Sequence, residues 1–457
     1  MTFSDWLKSL QNKTVAIIGI GVSNTPLIRL LARSGVQVTA CDKASPEAFG
    51  NDTLLEELRT LGVRLQMGEG YLDGLDQDYI FRSPGIRPDL PAFQAAVARG
   101  SCLTSEMEVF FDVCPCHKIA VTGSDGKTTT TTIIARLLEA AGYTVHLGGN
   151  IGTPLLDQAG QMQPEDYAVL ELSSFQLMTM HASPEIAVIT NLAPNHLDVH
   201  RDMDEYIRAK ENIFVHGGEG SLLAANMDND IAFLCSRKAP GGLRYFSRRY
   251  KRAFAFCDQK GGIFLNGSFL MNAGDIRLPG VHNIENYMAA FCALYGLVSP
   301  GDMVQVAKEF GGVEHRLELV RTLNGVNYYN DSIGTSPSRT IAGLNSFDRK
   351  VILIAGGYDK HIPFEPLGPE VIKHVKALYL CGATEEKIYQ AVVNTEGYSS
   401  ERLPIYFYPD YPSMLKDIKE RASCGDIVLF SPACAAFDRF PNFMKRGEYF
   451  KELVMGL

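Results

Sequence analysis

The residues with the clearest chemistry run Gly123-Ser-Asp-Gly126-Lys127-Thr128, directly after the apolar stretch Ile119-Ala-Val-Thr122. A strand that enters a glycine turn and opens a helix gathers backbone N–H groups at the positive end of a helix dipole, which makes an anion site. Lys127 adds a point charge suited to the β- and γ-phosphates of a nucleotide, and the Thr128 hydroxyl is of the type that ligates magnesium. Only Ser124 and Asp125 separate the two glycines, fewer than in the usual P-loop. An ordinary glycine turn capping a buried helix leaves the Lys-Thr pair unexplained, so the stretch reads as a phosphate site, with Thr129 continuing its first turn.

Glu171 stands near the end of a second apolar run, 167–172, and precedes Ser173-Ser-Phe-Gln176. A third run, 186–191, leads to Asn195-His196-Leu-Asp198. Ligands of open α/β sheets gather at the carboxyl ends of the strands, so a carboxylate and an imidazole there suggest magnesium ligation. Taken singly, each also fits a satisfied loop residue. Lys210 falls within the helical stripe Met203, Tyr206, Ile207, Ile213 and Phe214. A lysine so placed must snorkel, pair or lose its proton. A neutral amine beside two cations can be held as a carbamate.

The elements that must position these groups alternate strand and helix. Val15-Ala-Ile-Ile-Gly19-Ile-Gly21 predicts a buried strand and glycine turn, followed by a helix with Leu27, Ile28 and Leu31 inward. Strands follow at 36–41, ending at Asp42, and at 79–81, ending at Ser83-Pro-Gly85. This is a Rossmann-like opening with Asn24 where the third glycine of the fingerprint belongs. Asp42 is suited either to a polar ring or ribose edge or to capping its own loop. A helix opens at Lys127 with Ile133, Ile134, Leu137, Leu138 and Ala141 on one face. Residues 245–276 predict decorating hairpins, and a further helix starts at His282-Asn283, where Asn283 either caps it or meets an adenine edge. Beyond Gly312 alternation resumes, with strands at 326–329, 351–354, 377–380 and 427–430. The expected fold is α/β in three domains: a Rossmann-like N-terminal domain (1–102), a central P-loop mononucleotide-binding domain (103–312) and a C-terminal Rossmann-like domain (313–457).

A chain of 457 residues exceeds one core, and its 46% hydrophobic and 21% charged content is that of a soluble globular protein. No apolar run approaches the roughly 20 residues of a membrane span, and the first 13 residues lack a signal core. Ten cysteines without a CxxC pair fit a reducing cytoplasm. Cys114 and Cys116 are too close together and too isolated to read as a zinc site. A formal charge of −9 with no basic stripe argues against a nucleic-acid polymer partner.

Several motifs, in order along the whole chain, resemble the Mur ligases of peptidoglycan synthesis. They are Thr122-Gly-Ser-Asp-Gly-Lys-Thr128, Gly148-Gly-Asn-Ile-Gly152, Glu171-Leu-Ser-Ser-Phe-Gln-Leu177, His196, the Tyr206-to-Lys210 segment, His282-Asn283, His315-Arg316 and Asn330-Asp-Ser332. The resemblance implies an ADP-forming amide ligase that joins D-glutamate to UDP-N-acetylmuramoyl-L-alanine through an acyl phosphate, working as a cytoplasmic monomer. It implies Gly21, Val22, Ser23 and Ser83 on the UDP diphosphate, Asp42 near uracil, and Asn150 and His196 also facing that substrate. ATP would meet Gly123, Ser124, Asp125, Gly126, Lys127, Thr128, Thr129, Asn283, Arg316 and Asp331. Two Mg²⁺ ions would use Thr128, Glu171, His196 and a carbamylated Lys210, while Thr335, Lys360 and Phe443 would receive D-glutamate. Lys127, His196 and Lys210 would carry the catalysis.

Two positions depart from the family pattern. Ile333 stands where a lysine is common and Ala436 where a serine is usual. Both shift the expected amino-acid contact toward Lys360, backbone N–H groups and Arg339. No Asp-Asn-Pro-Arg tetrapeptide is present, unlike the diaminopimelate-adding relative. The alternatives from the residues alone are a nicotinamide dehydrogenase, which leaves the second phosphate loop without a role, and a non-catalytic nucleotide switch. Within the family, another Mur ligase or a folylpolyglutamate synthase-like ligase differs in its amino acid.

Overall fold

The computed structural model describes residues 1–457 except Val22, Gly152, Thr153, Leu197, Asp198, Pro279, Lys360 and His361. The described residues form two compact units, Met1–Gly274 with Glu285–Val306 and Asp275–Ile284 with Ala307–Leu457. The first unit holds two sheets and the second holds one, giving three α/β domains. Among the described residues no helix is long and apolar enough to cross a membrane.

The first sheet contains β1 (Thr14–Ile18), β2 (Gln37–Asp42), β3 (Arg64–Met67), β4 (Tyr79–Arg82) and β5 (Cys102–Thr104) in the order β3-β2-β1-β4-β5, all parallel. Val15 to Ile18 are fully buried, as a central parallel strand requires. The chain reverses its direction of travel across the sheet at β1, so the crevice at the carboxyl ends of β1 and β4 is the place for a ligand. Two strands, β3 and β5, are absent from the sequence expectation. β5 pairs with β4 and runs across position 102, where the sequence reading ends its first domain.

The second sheet contains β6 (His117–Thr122), β7 (Val145–Gly149), β8 (Tyr167–Glu171), β9 (Ile186–Ile189), β10 (Leu222–Asn226), β11 (Gly242–Ser247), β12 (Ala255–Cys257), β13 (Gly262–Leu265) and β14 (Ser268–Asn272). Its order is β14-β13-β12-β11-β10-β9-β6-β8-β7. The expected decorating hairpins prove instead to continue this sheet. β11 and β12 join it in parallel, and only β13 and β14 are antiparallel.

The helix Lys127–Ala140 packs beside β6 and β8, but burial is not confined to one stripe. Thr128 to Thr132 are buried as well. The Thr131 and Thr132 hydroxyls donate to the carbonyls of Lys127 and Thr128, so burial leaves them satisfied. The helix Met203–Glu211 is shorter than the apolar stripe predicts. Ile213 and Phe214 are buried from the turn that follows it.

In the second unit, β15 (Glu318–Leu323), β16 (Val326–Asn330), β17 (Val351–Ala355), β18 (Val375–Leu380), β19 (Ile405–Phe407) and β20 (Ile427–Phe430) form a sheet in the order β15-β16-β20-β17-β18-β19. Strict alternation fails at its start, where β15 and β16 are an antiparallel hairpin closed by Asn324 (φ 51°) and Gly325 (φ 77°). Asp275–Ile284 belongs with this unit, whereas the sequence reading includes it in the central domain. Arg277 fastens it, its N–H donating to the Ala307 carbonyl and its guanidinium to the Glu309 carbonyl.

Candidate functional site

The phosphate loop is built by two glycines that cannot be replaced. Gly123 has φ 154°, and a Cβ there would lie 1.9 Å from Thr190 Oγ1. Gly126 has φ 77°, and its Cβ would meet Asn286 Oδ1 at 2.4 Å. Between them Ser124 N–H donates to the Asn191 carbonyl and Asp125 N–H to Asn191 Oδ1. Ser124 Oγ donates to the Ala193 carbonyl and shares a 2.8 Å hydrogen bond with the Tyr206 hydroxyl. Lys127 folds back on its own loop, its Nζ donating to the carbonyls of Gly123 (3.0 Å) and Ser124 (2.9 Å). An incoming phosphate must exchange with these two carbonyls. Thr129, the third residue of the helix, is buried, while Asp125 is exposed.

At the end of β8, Glu171 is only 2% exposed. Its Oε2 accepts from Thr128 Oγ1 at 2.7 Å and its Oε1 from Asn150 Nδ2 at 2.8 Å. Gly149 (φ 93°) makes this possible, since a Cβ there would stand 2.2 Å from the Glu171 carbonyl oxygen. Glu171, Thr128 and Asn150 are therefore brought together. Glu171 and Thr128 supply hard oxygen donors of the kind Mg²⁺ prefers.

Lys210 is 2% exposed, and its Nζ donates to Thr122 Oγ1 (3.0 Å) and the Gly123 carbonyl (2.9 Å). Both partners are neutral. Burial, reinforced by the charge of Lys127, holds its amine well below the ordinary lysine pKa. The lysine does not snorkel. His196 is exposed, with a left-handed backbone (φ 55°) and its ring edge-on to Phe175. Asp198 lies outside the described residues.

Sequence reasoning missed the groups behind this edge. His200 is buried, bonded to Ser174 Oγ at 2.9 Å and stacked on Phe175, and burial lowers its pKa. Arg87 reaches from the loop after β4 to Asp89, Glu205 and the Val199 carbonyl, holding the Glu205 carboxyl down at about 2. Arg82 is buried at the end of β4 and donates to the carbonyls of Pro84 and Ile86 and to Thr179 Oγ1. Their partners are more than 90 residues away in several cases, which leaves no local signal.

In the first sheet, Gly19 (φ 92°) lets the chain pass Ser83, whose Oγ would be 2.4 Å from a Cβ. Asn24 replaces the third glycine with function of its own. Its Nδ2 donates to Ser83 Oγ and to the carbonyls of Ile18 and Gly19, while its buried Oδ1 has no hydrogen-bond partner among the described residues. Asp42 accepts from Ile20 N–H and Ala44 N–H, which is the loop-fastening reading of this residue. Gly21 has open space around it and Ser23 is exposed, while Val22 lies outside the described residues.

The second unit carries Asn283, Arg316 and Asp331. Asn283 is buried near the start of the helix Val281–Leu294, and Arg316 sits between two strained residues, His315 (φ 62°) and Leu317 (φ 46°). Asp331 is buried, accepts from Ser431 Oγ (2.6 Å) and Leu317 N–H (3.3 Å), and burial raises its carboxyl to about 6. Arg446, unnoticed in the sequence, is wholly buried and donates to Ser332 Oγ, the Ser332 carbonyl and the Ala435 carbonyl. Ser332 Oγ in turn donates to the Phe443 carbonyl, which fixes the start of the last helix. Thr335 N–H donates to the Ile333 carbonyl. Lys360 lies outside the described residues. A cavity of about 690 Å³ in this unit is lined by Gly382, Glu385, Phe407, Tyr408 and Arg439 among others, and neither Thr335 nor Phe443 lines it.

Parallel sheets, a glycine-bounded phosphate loop and a buried carboxylate on its helix threonine define a P-loop α/β protein. Residues 121–294 match the Mur ligase middle domain and residues 315–434 match the Mur ligase, glutamate ligase domain. The UDP-N-acetylmuramoylalanine--D-glutamate ligase of Clostridium acetobutylicum is 47% identical over 458 residues, covering 100% of this chain and 99% of its own. The protein of the same name from Acetivibrio thermocellus is 48% identical over 461 residues, covering 99% and 98%. In three dimensions the UDP-N-acetylmuramate-alanine ligase of Thermotoga maritima shares the fold, with TM-score 0.57 at 18% identity over 97% of this chain and 99% of that one. The chain belongs to the Mur ligase family.

Proposed function

We propose that this protein is an ATP-dependent, ADP-forming ligase that joins the amine of D-glutamate to the carboxylate of UDP-N-acetylmuramoyl-L-alanine in peptidoglycan precursor synthesis. The observation carrying the reading is the carboxyl edge of β6 and β8. There the phosphate loop, the Thr128–Glu171 pair and the neutral-partnered Lys210 occur in a chain 47% identical, end to end, to a relative of that name.

In this reading the chain works as a cytoplasmic monomer of three domains, a UDP-substrate domain, an ATP domain and an amino-acid domain. The first binds the UDP substrate through Gly21, Val22, Ser23, Asp42 and Ser83, with Asn150 and His196 contributing from the second. The loop from Gly123 to Thr129 and the Lys127 ammonium hold the ATP phosphates, the N–H groups of Gly126 to Thr129 facing them, with Asn283, Arg316 and Asp331 completing the nucleotide contacts. Thr335, Lys360 and Phe443 receive D-glutamate. Magnesium, held by Thr128, Glu171, His196 and a carbamylated Lys210, neutralises phosphate charge when bound. The carbamate resolves a misfit, because Lys210 as a bare amine offers a cation no oxygen.

The substrate carboxylate attacks the γ-phosphorus, ADP leaves, and an acyl phosphate results. Lys127 stabilises the charge spreading over the transferred group. The D-glutamate amine then attacks the acyl carbon and expels phosphate, and His196 orients the amine and accepts its proton through solvent.

The test is phosphate release with ATP and UDP-N-acetylmuramoyl-L-alanine, comparing D-glutamate with L-glutamate, L-lysine and diaminopimelate. Release that depends on D-glutamate alone is expected. Release with another amino acid, or independent of any, would overturn the assignment.

A further inference from the structure

At the amino ends of the central strands, opposite the phosphate loop, three chemically mixed side chains converge. Cys116 immediately precedes β6, His146 is the second residue of β7, and Asp166 immediately precedes β8. The order β6-β8-β7 makes the starts of these strands neighbours, and the His117 N–H donates to the Asp166 carbonyl across the first pair. The Cys116 sulfur, a His146 ring nitrogen and an Asp166 carboxylate oxygen all lie within 4.8 Å of one another. Residues separated by 30 and 20 positions in sequence thus form one cluster.

We propose that Cys116, His146 and Asp166 bind a divalent cation of the zinc class that ties together the amino ends of β6, β8 and β7. The donor set is one sulfur, one imidazole nitrogen and one carboxylate oxygen, which suits zinc and not magnesium, whose preference is for oxygen alone. Cys116 and Asp166 are buried and His146 is half-buried.

The groups facing it leave room for a dication. Asp166 Oδ2 already engages His146 Nε2 at 2.9 Å. Lys118 Nζ donates to the carbonyls of Cys114 and Cys116, and the Glu185 carboxylate accepts from the Lys118 N–H. Binding breaks the S–H bond of Cys116, forms the sulfur–metal bond and releases the proton to solvent. His146 moves its ring proton to Nδ1, freeing Nε2, and the His146–Asp166 hydrogen bond is exchanged for two bonds to the ion. The proposal is independent of the ligase reading: Asp166 and Glu171 stand at opposite ends of β8, five residues or about 16 Å apart.

The full-length protein, stripped with a chelator and kept reduced with a phosphine, is titrated with Co²⁺ alone. The expected result is a near-ultraviolet thiolate-to-cobalt band and the visible bands of tetrahedral cobalt, saturating near about one equivalent and bleached by Zn²⁺. Cys116→Ser should abolish the thiolate band, and the near-isosteric Asp166→Asn should weaken binding by about tenfold or more. Zn²⁺ should raise the Tm of the wild type and leave that of Cys116→Ser unchanged, while magnesium-dependent turnover survives in both variants and reports that they are folded. Absence of a thiolate band in the wild-type protein, or an undiminished band in Cys116→Ser, overturns the proposal whatever the variants do.

Discussion

A buried lysine whose hydrogen-bond partners, among the described residues, are a hydroxyl and a carbonyl is an unusual thing to keep in a core. For Lys210 the bare ammonium would sit beside Lys127 and, when magnesium is bound, beside the cation as well. A carbamate reverses that sign. Lys210→Ala should therefore lower turnover on the order of 10²-fold or more. Acetate or formate, filling the space with a carboxylate, should restore part of it. Near-wild-type turnover in the folded variant would sink the carbamate.

Glu106 offers a separate residue-scale test that does not touch the reaction. It is buried, accepts from the Leu156 N–H at 3.0 Å, and burial raises its carboxyl from 4.5 to about 7. The folded chain keeps this proton after the unfolded chain has lost it. Stability from this group is thus full below about 4.5 and is lost as pH rises toward about 7, by up to roughly 3 kcal/mol. Glu106→Gln keeps an acceptor for Leu156 and removes the titration. Between pH 5 and about 8 the Tm of the variant should gain on that of the wild type. Parallel pH profiles would show that Glu106 does not titrate with folding.

At the scale of elements, the turn after β7 illustrates how backbone shape sets up a side chain. Gly149 combines φ 93° with an approach that would leave a Cβ 2.2 Å from the Glu171 carbonyl. Gly149→Ala must push β7 and β8 apart at the point where Asn150 and Thr128 hold Glu171. A displacement of about 1 Å there should cost on the order of 10²-fold in turnover while far-ultraviolet circular dichroism stays native. Unchanged turnover would mean that Glu171 tolerates the shift and is not placed by this turn.

The same scale divides what the sequence discloses from what it hides. Long buried strands such as β1, β8 and β17 are visible as apolar runs, and the phosphate loop is visible through its glycines. Lys210 is visible because one charge interrupts a periodic face. β3, β5 and β19 are short and only partly buried, so neither alternation nor an apolar run marks them. β15 did have a local signal, the Asn324-Gly325 pair, which the expectation of strict alternation passed over. Arg82, His200 and Arg446 had none, since each is made tolerable in a core in part by groups far along the chain, Thr179, Ser174 and Ser332 respectively.

At the scale of the molecule, the first unit places two glycine loops on two different sheets. The Gly19 loop is held by Ser83, Asn24 and Asp42 at the carboxyl end of β1. The Gly123 loop is held by Thr190, Asn191 and Asn286 at the carboxyl end of β6. Arg82 and Arg87 run from the first sheet to the second, Arg82 to Thr179 and Arg87 to Glu205, so the sheets are joined at buried or half-buried charges and not through the loops themselves. Loops fastened by separate sets of residues should bind their ligands separately, since sites without shared partners couple by about 0.5 kcal/mol or less. Lys127→Ala removes the point charge of the second loop and leaves the first untouched. Turnover should fall on the order of 10³-fold, because the transferring phosphoryl group loses its cation. Affinity for UDP-N-acetylmuramoyl-L-alanine, measured by calorimetry without nucleotide, should stay within about twofold of the wild type. A comparable loss of that affinity would show that the two loops serve one shared site, and the assignment of the first sheet to the UDP substrate would fall with it.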